Sequence, residues 1–361
     1  MNYCWLFHPD LNKFDKRSPE SSLIELRLLA KAIDLKILFS TIVKINNIRS
    51  SSYFGSGKIE EIANDLNAKN LKNFVIIIND RLTPIQQRNL ENKWNCKILD
   101  RTSLILEIFG SRAFSKEGTL QVELAHITWQ KTRLVRTWTH LERQRGGRGF
   151  LGGPGELQIE LDRRYLTNRI KKISFELSKI KKTRKLQRNK RKNKYPLVSM
   201  IGYTNSGKST LFNKLTGSKE FVKNMLFATL DPKHRKVTIS YENQFILSDT
   251  VGFVSNLPTE LIDAFKATLD EILYSDLILH VRDISHEDYD SQNNDVLKIV
   301  RNIFNYDESQ YPDNIIEVIN KIDKIEYSHN SIKNTSNKIF VSAKQGNGIK
   351  ELVKIIVNKL N

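Results

Sequence analysis

Leu197-Val-Ser-Met-Ile-Gly202-Tyr203-Thr204-Asn205-Ser206-Gly207-Lys208-Ser209-Thr210-Leu-Phe-Asn-Lys-Leu215 is the stretch on which the fold turns. Five apolar-rich residues fit a buried strand, two glycines five positions apart fit a tight loop, and the residues from Lys208 onward fit a helix. A glycine-spaced loop followed by Lys-Ser, between a strand and a helix, is the setting that phosphate chemistry requires. Its backbone N–H groups and the helix N-terminus can surround a β-phosphate. Lys208 then directs a point charge at the β and γ oxygens, and the Ser209 hydroxyl is a ligand for Mg²⁺.

Three shorter motifs follow at strand ends. Phe245-Ile-Leu-Ser-Asp249 closes on a carboxylate, and Asp249-Thr250-Val251-Gly252 continues it. An acid beside a phosphate loop can hold the metal through water, and Gly252 lets its N–H approach a γ-phosphate. Asn320-Lys321-Ile322-Asp323 follows the apolar run Ile315–Ile319. A carboxylate there can accept from guanine N1–H and the exocyclic amine, a donor pair that adenine lacks, so the motif selects GTP over ATP. The Lys321 stem can cover the ring, and Asn320 can tie this loop to the phosphate loop. Ser342-Ala343-Lys344 comes after the last strand, where a backbone N–H can meet guanine O6. Each tetrapeptide alone is common, but all four in order at strand ends point to a guanine-nucleotide site. Lys208 and Gly252 are the expected catalytic contacts to the reacting phosphate.

Outward from this core, residues 195–361 alternate strands with helical patterns, as a parallel-type sheet covered on both faces would. Residues 116–194 carry two helical seams, Leu120, Leu124, Ile127, Lys131, Leu134, Trp138, Leu141 and then Leu166, Ile170, Ile173, Leu177, Ile180. Between them lies a tip with six glycines and one proline across residues 146–155, which predicts an antiparallel helical hairpin. Residues 1–115 alternate short apolar runs with amphipathic stretches, and Ser18-Pro19 and Thr83-Pro84 mark helix starts, so a small α/β domain is expected.

The net charge of +18 is concentrated. Residues 133–194 hold 20 Lys+Arg against 5 Asp+Glu, and in residues 179–194 ten of sixteen are basic. That run is either a solvated linker or a contact for RNA. With 39% hydrophobic and 27% charged residues the chain has globular composition, and its apolar runs of about five residues fall far short of the roughly twenty that span a membrane. Two cysteines, Cys4 and Cys96, cannot make a disulfide framework, and the start shows no leader pattern, so a cytoplasmic, monomeric protein with no membrane insertion is expected.

The sequence resembles the translation-factor-like class of P-loop GTPases and, within it, the HflX family of ribosome-associated GTPases. The nucleotide motifs above carry the first likeness, together with Leu226-Phe227-Ala228-Thr229-Leu230-Asp-Pro232 and Asp249-Thr-Val-Gly-Phe253. Gln121-Val-Glu-Leu-Ala125, His140-Leu-Glu-Arg-Gln144, Gly153-Pro-Gly-Glu156 and Glu160-Leu-Asp-Arg-Arg164 carry the second. The resemblance implies an α/β fold, with a Ras-like P-loop GTPase domain (195–361) behind an N-terminal α/β domain (1–115) and a basic helical hairpin and linker (116–194). It implies that Leu226–Leu230 border the nucleotide, that Thr229 is a Mg²⁺ ligand of the first switch and a catalytic residue, and that the protein binds the large (50S) ribosomal subunit and its rRNA to split or rescue ribosomes.

Two other readings compete with a GTPase. One is an ATP-driven RNA-remodelling protein, in which Tyr53-Phe-Gly-Ser-Gly57-Lys58 forms a second nucleotide loop, although Ile59 stands where Ser or Thr would bind Mg²⁺ and a plain turn into a helix explains the residues as well. The other is a nonenzymatic RNA-binding scaffold. Phe253 occupies the place where Ras-type enzymes put a water-orienting glutamine, which predicts slow intrinsic hydrolysis. Asn205 stands where cation-dependent GTPases use an asparagine to coordinate K⁺; the alternative is that it only braces the loop.

Overall fold

The computed structural model describes residues 3–11, 17–69, 74–144, 154–192, 194–218, 225–227, 230, 232–304, 314–325 and 334–361. These divide into two compact units, Met1–Ser111 with Thr119–Ser178 and Pro258–Ala264, and Arg112–Gly118 with Lys179–Leu257 and Phe265–Asn361.

The first unit holds β1 (Tyr3–Asp10), α1 (Pro19–Lys31), β2 (Lys36–Lys44), α2 (Ser56–Lys69), β3 (Phe74–Ile78), α3 (Pro84–Trp94), β4 (Lys97–Asp100) and α4 (Arg101–Arg112). The strands form an all-parallel sheet in the order β2-β1-β3-β4. Both proline-marked helix starts are capped: the Ser18 hydroxyl accepts from the Ser21 N–H at 3.0 Å, and Thr83 and Gln86 exchange reciprocal bonds at 3.2 and 2.9 Å. Tyr53 and Phe54 are buried with Trp5, Phe7 and Trp94 in the core beneath α2, so Tyr53–Lys58 is a core-anchored turn into a helix.

Two long helices come next, α5 (Lys116–Gln144) and α6 (Pro154–Lys192). Leu120, Ile127 and Ile173 of the expected seams are buried, and Arg169 of α6 bonds Glu123 of α5 at 2.5 Å. Nearer the base of the pair, Arg184 meets Glu117 at 2.8 Å. Moving back along α5 while moving forward along α6 is the antiparallel arrangement. The glycine-rich tip, residues 145–153, lies outside the described residues.

In the second unit are β5 (Leu197–Ile201), α7 (Lys208–Thr216), β6 (Lys233–Thr238) and β7 (Gln244–Asp249), then, after α8 (Thr259–Ala264) of the first unit, α9 (Lys266–Leu273), β8 (Leu277–Asp283), α10 (Tyr289–Phe304), β9 (Ile315–Asn320), β10 (Lys338–Phe340) and α11 (Ile349–Leu360). The sheet order is β10-β9-β8-β5-β7-β6, parallel except for β6. Every residue of β8 is buried, as a central parallel strand covered on both faces requires. From β5 the chain turns to one side for β6 and β7 and then crosses to the other for β8. This places the strand-order reversal at β5, where a ligand crevice opens at the carboxyl ends of the strands.

Candidate functional site

The loop after β5 arches back toward its own strand because two glycines permit it. Gly207 has φ 95° and a side chain there would meet Asn320 Nδ2 at 2.2 Å; Gly202 has φ 149° and a side chain would meet the Val281 carbonyl at 2.2 Å. α7 then begins at Lys208, so its first N–H groups open onto the loop. A cavity of about 330 Å³ lies in the crevice, walled by Thr204, Asn205, Gly207–Thr210, Thr250, Gly252, Asn320, Lys321, Asp323, Ala343 and Lys344 from the four motifs. Phe227 borders it as well, while Ala228 and Thr229 lie outside the described residues.

The Lys208 ammonium is buried and donates to the Gly202 and Tyr203 carbonyls at 3.1 and 2.8 Å. Burial pulls its pKa down to about 8; Asp249 opposes the shift and Lys321 adds to it. The Ser209 hydroxyl donates to Asp249 Oδ2 at 2.8 Å, so two hard oxygen donors meet at the start of α7, the donor chemistry that suits Mg²⁺. The segment after Asp249 is laced to the phosphate loop: the Thr204 N–H donates to the Phe253 carbonyl at 2.7 Å, and the Phe253 N–H to the Gly202 carbonyl at 3.1 Å. A side chain on Gly252 would meet Thr204 Cγ2 at 2.8 Å and Lys208 Nζ at 3.1 Å, so only glycine fits this close approach. The Phe253 ring is 2% exposed, packed into the interior.

At the other end, Asn320 Nδ2 donates to the Ser206 carbonyl at 2.9 Å, and its Oδ1 accepts from the Ala343 N–H at 3.0 Å. One side chain thus fastens the third motif to the first and the fourth. Lys321 Nζ reaches the Asn205 carbonyl at 2.8 Å, and the Ser342 hydroxyl donates to Asp323 Oδ1 at 2.5 Å. Of the remaining sequence candidates, Leu226, Leu230, Val251 and Tyr203 are buried hydrophobics that do not line the cavity, and Ile322, also outside its lining, opens the 3₁₀ turn Ile322–Lys324. Three residues lie outside the motifs. Met225 and Lys324 border the cavity, and Asp283 pairs with Lys321 Nζ at 2.6 Å. An acid at the tip of β8, in the same position as Asp249 on β7, is the signal that could have found the last of them.

The family models matched fall in sequence along the chain. "GTP-binding GTPase N-terminal" covers residues 20–110, "GTP-binding GTPase Middle Region" covers 112–191 and "50S ribosome-binding GTPase" covers 197–321. GTPase HflX of Magnetococcus marinus is 44% identical over 336 residues, 92% of this chain and 76% of that protein. The chain belongs to the HflX family of GTPases. GTPase HflX of Escherichia coli K12 is 43% identical over 314 residues, spanning 86% of this chain and 72% of its own length. Among solved structures, the crystal structure of the SsGBP and GDP complex superposes with a TM-score of 0.51 at 24% identity, covering 99% of this chain and 98% of that one, which shows the shared fold. The four motifs of the cavity therefore belong to an HflX-type nucleotide domain, and the protein is a GTPase.

Proposed function

We propose that this HflX-family GTPase uses its nucleotide state to gate association with the large ribosomal subunit and its rRNA, acting in the cytoplasm to split or rescue ribosomes. The observation that carries the reading is the presence, in one compact unit, of a guanine-nucleotide cavity and the basic end of α6, Lys179–Lys192. A cation-rich helix end is complementary to RNA phosphates, and the family model for residues 197–321 bears the description "50S ribosome-binding GTPase".

Within the site, Asp323 reads guanine N1–H and the exocyclic amine, the Lys321 stem covers the ring, and the turn at Ser342–Lys344 offers an N–H to O6. The Ala343 N–H is given to Asn320 Oδ1, and Lys344 lines the cavity one residue on. Lys208 draws negative charge from the β and γ phosphates, the Gly252 N–H approaches the γ-phosphate, and Thr229 serves the reaction as a ligand of the metal. Ser209 and Thr229 would hold Mg²⁺ directly and Asp249 through water, and the ion would supply positive charge to the phosphate oxygens. Because the Phe253 ring is buried, the attacking water takes its orientation from other groups, and hydrolysis is slow until a partner completes the site.

The test is phosphate release from GTP and from ATP by the purified full chain, with and without purified large subunits. The expected result is hydrolysis of GTP and not ATP, accelerated at least tenfold by large subunits. Equal hydrolysis of ATP would refute the base reading and favour the RNA-remodelling alternative; absence of acceleration would refute the ribosomal one.

A further inference from the structure

We propose that Asp283 is a positioning residue for the guanine nucleotide, and that its ion pair with Lys321 sets how long the nucleotide stays bound. The parallel register of β8 and β9 sets Asp283 opposite Asn320, so the carboxylate at the tip of one strand stands beside the residue that follows the other. Asp283 Oδ2 accepts from Lys321 Nζ at 2.6 Å, and the same ammonium donates to the Asn205 carbonyl at 2.8 Å. Three loops therefore meet at one nitrogen: the phosphate loop, the tip of β8 and the base-reading loop. Both side chains are largely sequestered, with Asp283 10% and Lys321 17% exposed, so solvent weakens the pair little. The other carboxylate oxygen is spoken for as well. Asp283 Oδ1 accepts from the Ser285 N–H at 3.1 Å and the Ser285 hydroxyl at 2.6 Å, which fixes the carboxylate plane and aims Oδ2 at Lys321.

The backbone adds a second constraint. Lys321 has φ 66°, a left-handed conformation that a lysine adopts only when its surroundings enforce it. With Nζ anchored at one end and a left-handed Cα at the other, the stem is stretched along the cavity wall, where it would lie against the guanine ring. Without Asp283 the ammonium keeps the Asn205 carbonyl but loses its counter-charge, and the stem regains rotamers that leave the ring uncovered. The effect falls mainly on binding and less on the chemical step, because the Lys321 ammonium is held by the Asn205 carbonyl and Asp283, while Lys208 Nζ is held separately by the Gly202 and Tyr203 carbonyls.

This inference rests on the assignment of Lys321 to the guanine face, and the experiment separates the two. Release of a fluorescent GDP is timed for wild type, Asp283→Asn, Asp283→Ser, Ser285→Ala, Lys321→Met and the Asp283→Asn/Lys321→Met double variant, alongside single-turnover hydrolysis of preloaded GTP. Asp283→Asn should speed release about ten- to a hundredfold, as loss of a charged hydrogen bond does, and leave the single-turnover rate within about twofold. Asp283→Ser is the second perturbation and should move release in the same direction. Ser285→Ala keeps the charge and the backbone N–H bond to Oδ1 but loses the hydroxyl that helps aim Oδ2, so it should speed release less than Asp283→Asn does. In the Lys321→Met background the Asp283 substitution should add less than about twofold. Unchanged release in both Asp283 variants, a Ser285→Ala effect equal to that of Asp283→Asn, or independent multiplication in the double variant would overturn the proposal. Failure of the wild type itself to retain GDP would instead refute the guanine-site assignment.

Discussion

Replacing Asp323 with asparagine should do more than weaken GTP binding, because the surrounding hydrogen bonds decide how the new amide must lie. The Ser342 hydroxyl accepts from the Gln345 N–H at 3.0 Å and gives its own proton to Asp323 Oδ1 at 2.5 Å. An asparagine must therefore keep its oxygen toward Ser342 and turn its NH₂ toward the base. Guanine presents two donors there: its amine now faces a donor, and its N1–H keeps only a neutral oxygen. Losing one charge-assisted hydrogen bond costs about 1.5–3 kcal/mol, roughly ten- to a hundredfold in Kd, before the weakening of the other is added. Xanthine carries a carbonyl where guanine has its amine, so the turned amide can donate to it. Equilibrium titration of Asp323→Asn with fluorescent GDP and XDP should show weakened GDP binding and an inverted preference. A variant that binds GDP within about threefold of wild type, or gains nothing for XDP, would refute the placement of the base against Asp323.

Three further expectations follow from the same structure. Neutralising the basic residues of 179–194, beginning with the exposed Lys181, Lys182 and Lys185, should weaken binding to large subunits and flatten its salt dependence by roughly 0.7–0.9 log units per log unit of salt for each RNA phosphate no longer neutralised; an unchanged slope would leave the run as a solvated linker. K⁺ should stimulate hydrolysis where Na⁺ does not, since an ion beside Asn205 can supply positive charge as the leaving oxygen gains negative charge; a rate indifferent to the cation, or stimulation that survives Asn205→Ala, would place any ion site elsewhere. His280 is buried in β8, and burial, with help from Arg282 and Lys208, holds its pKa at about 3 against 6.5 for a free imidazole. Below pH 6.5 the unfolded chain takes up a proton that the folded chain refuses, so stability falls as pH drops toward 3, at up to about 1.4 kcal/mol per pH unit. Urea titrations of His280→Gln should show a shallower acid slope than wild type, and identical slopes would contradict this.

What is legible in the sequence is what is contiguous. The phosphate loop announces itself because strand, glycines, Lys-Ser and helix adjoin, and Ser18 and Thr83 mark helix starts through hydroxyls that act within three residues. Pairings that depend on register are not legible. Nothing in Leu277–Asp283 alone says that its last carboxylate will stand beside Lys321; that follows only once β8 and β9 are aligned. Apolar content puts β6 at Val237–Ile239, yet it runs Lys233–Thr238 with Val237 as its one buried residue, because pairing with β7 outweighs its polar composition. Helix α4 is hidden in the sequence as well, since β4 passes straight into it without a turn. Its start lies with the buried Asp100, whose Oδ1 accepts from the Ser103 N–H at 2.8 Å, the short-range cap that is its one local mark.

The central claim is that nucleotide state gates ribosome association, and co-sedimentation tests it most directly. The full chain, loaded with GDP or with a nonhydrolysable GTP analogue, is spun through sucrose with purified large subunits at physiological salt. The account predicts that the analogue-loaded protein travels with the subunits and that the GDP-loaded protein stays near the top, the affinities differing at least tenfold. Equal pelleting in the two states, or pelleting in neither, would contradict it.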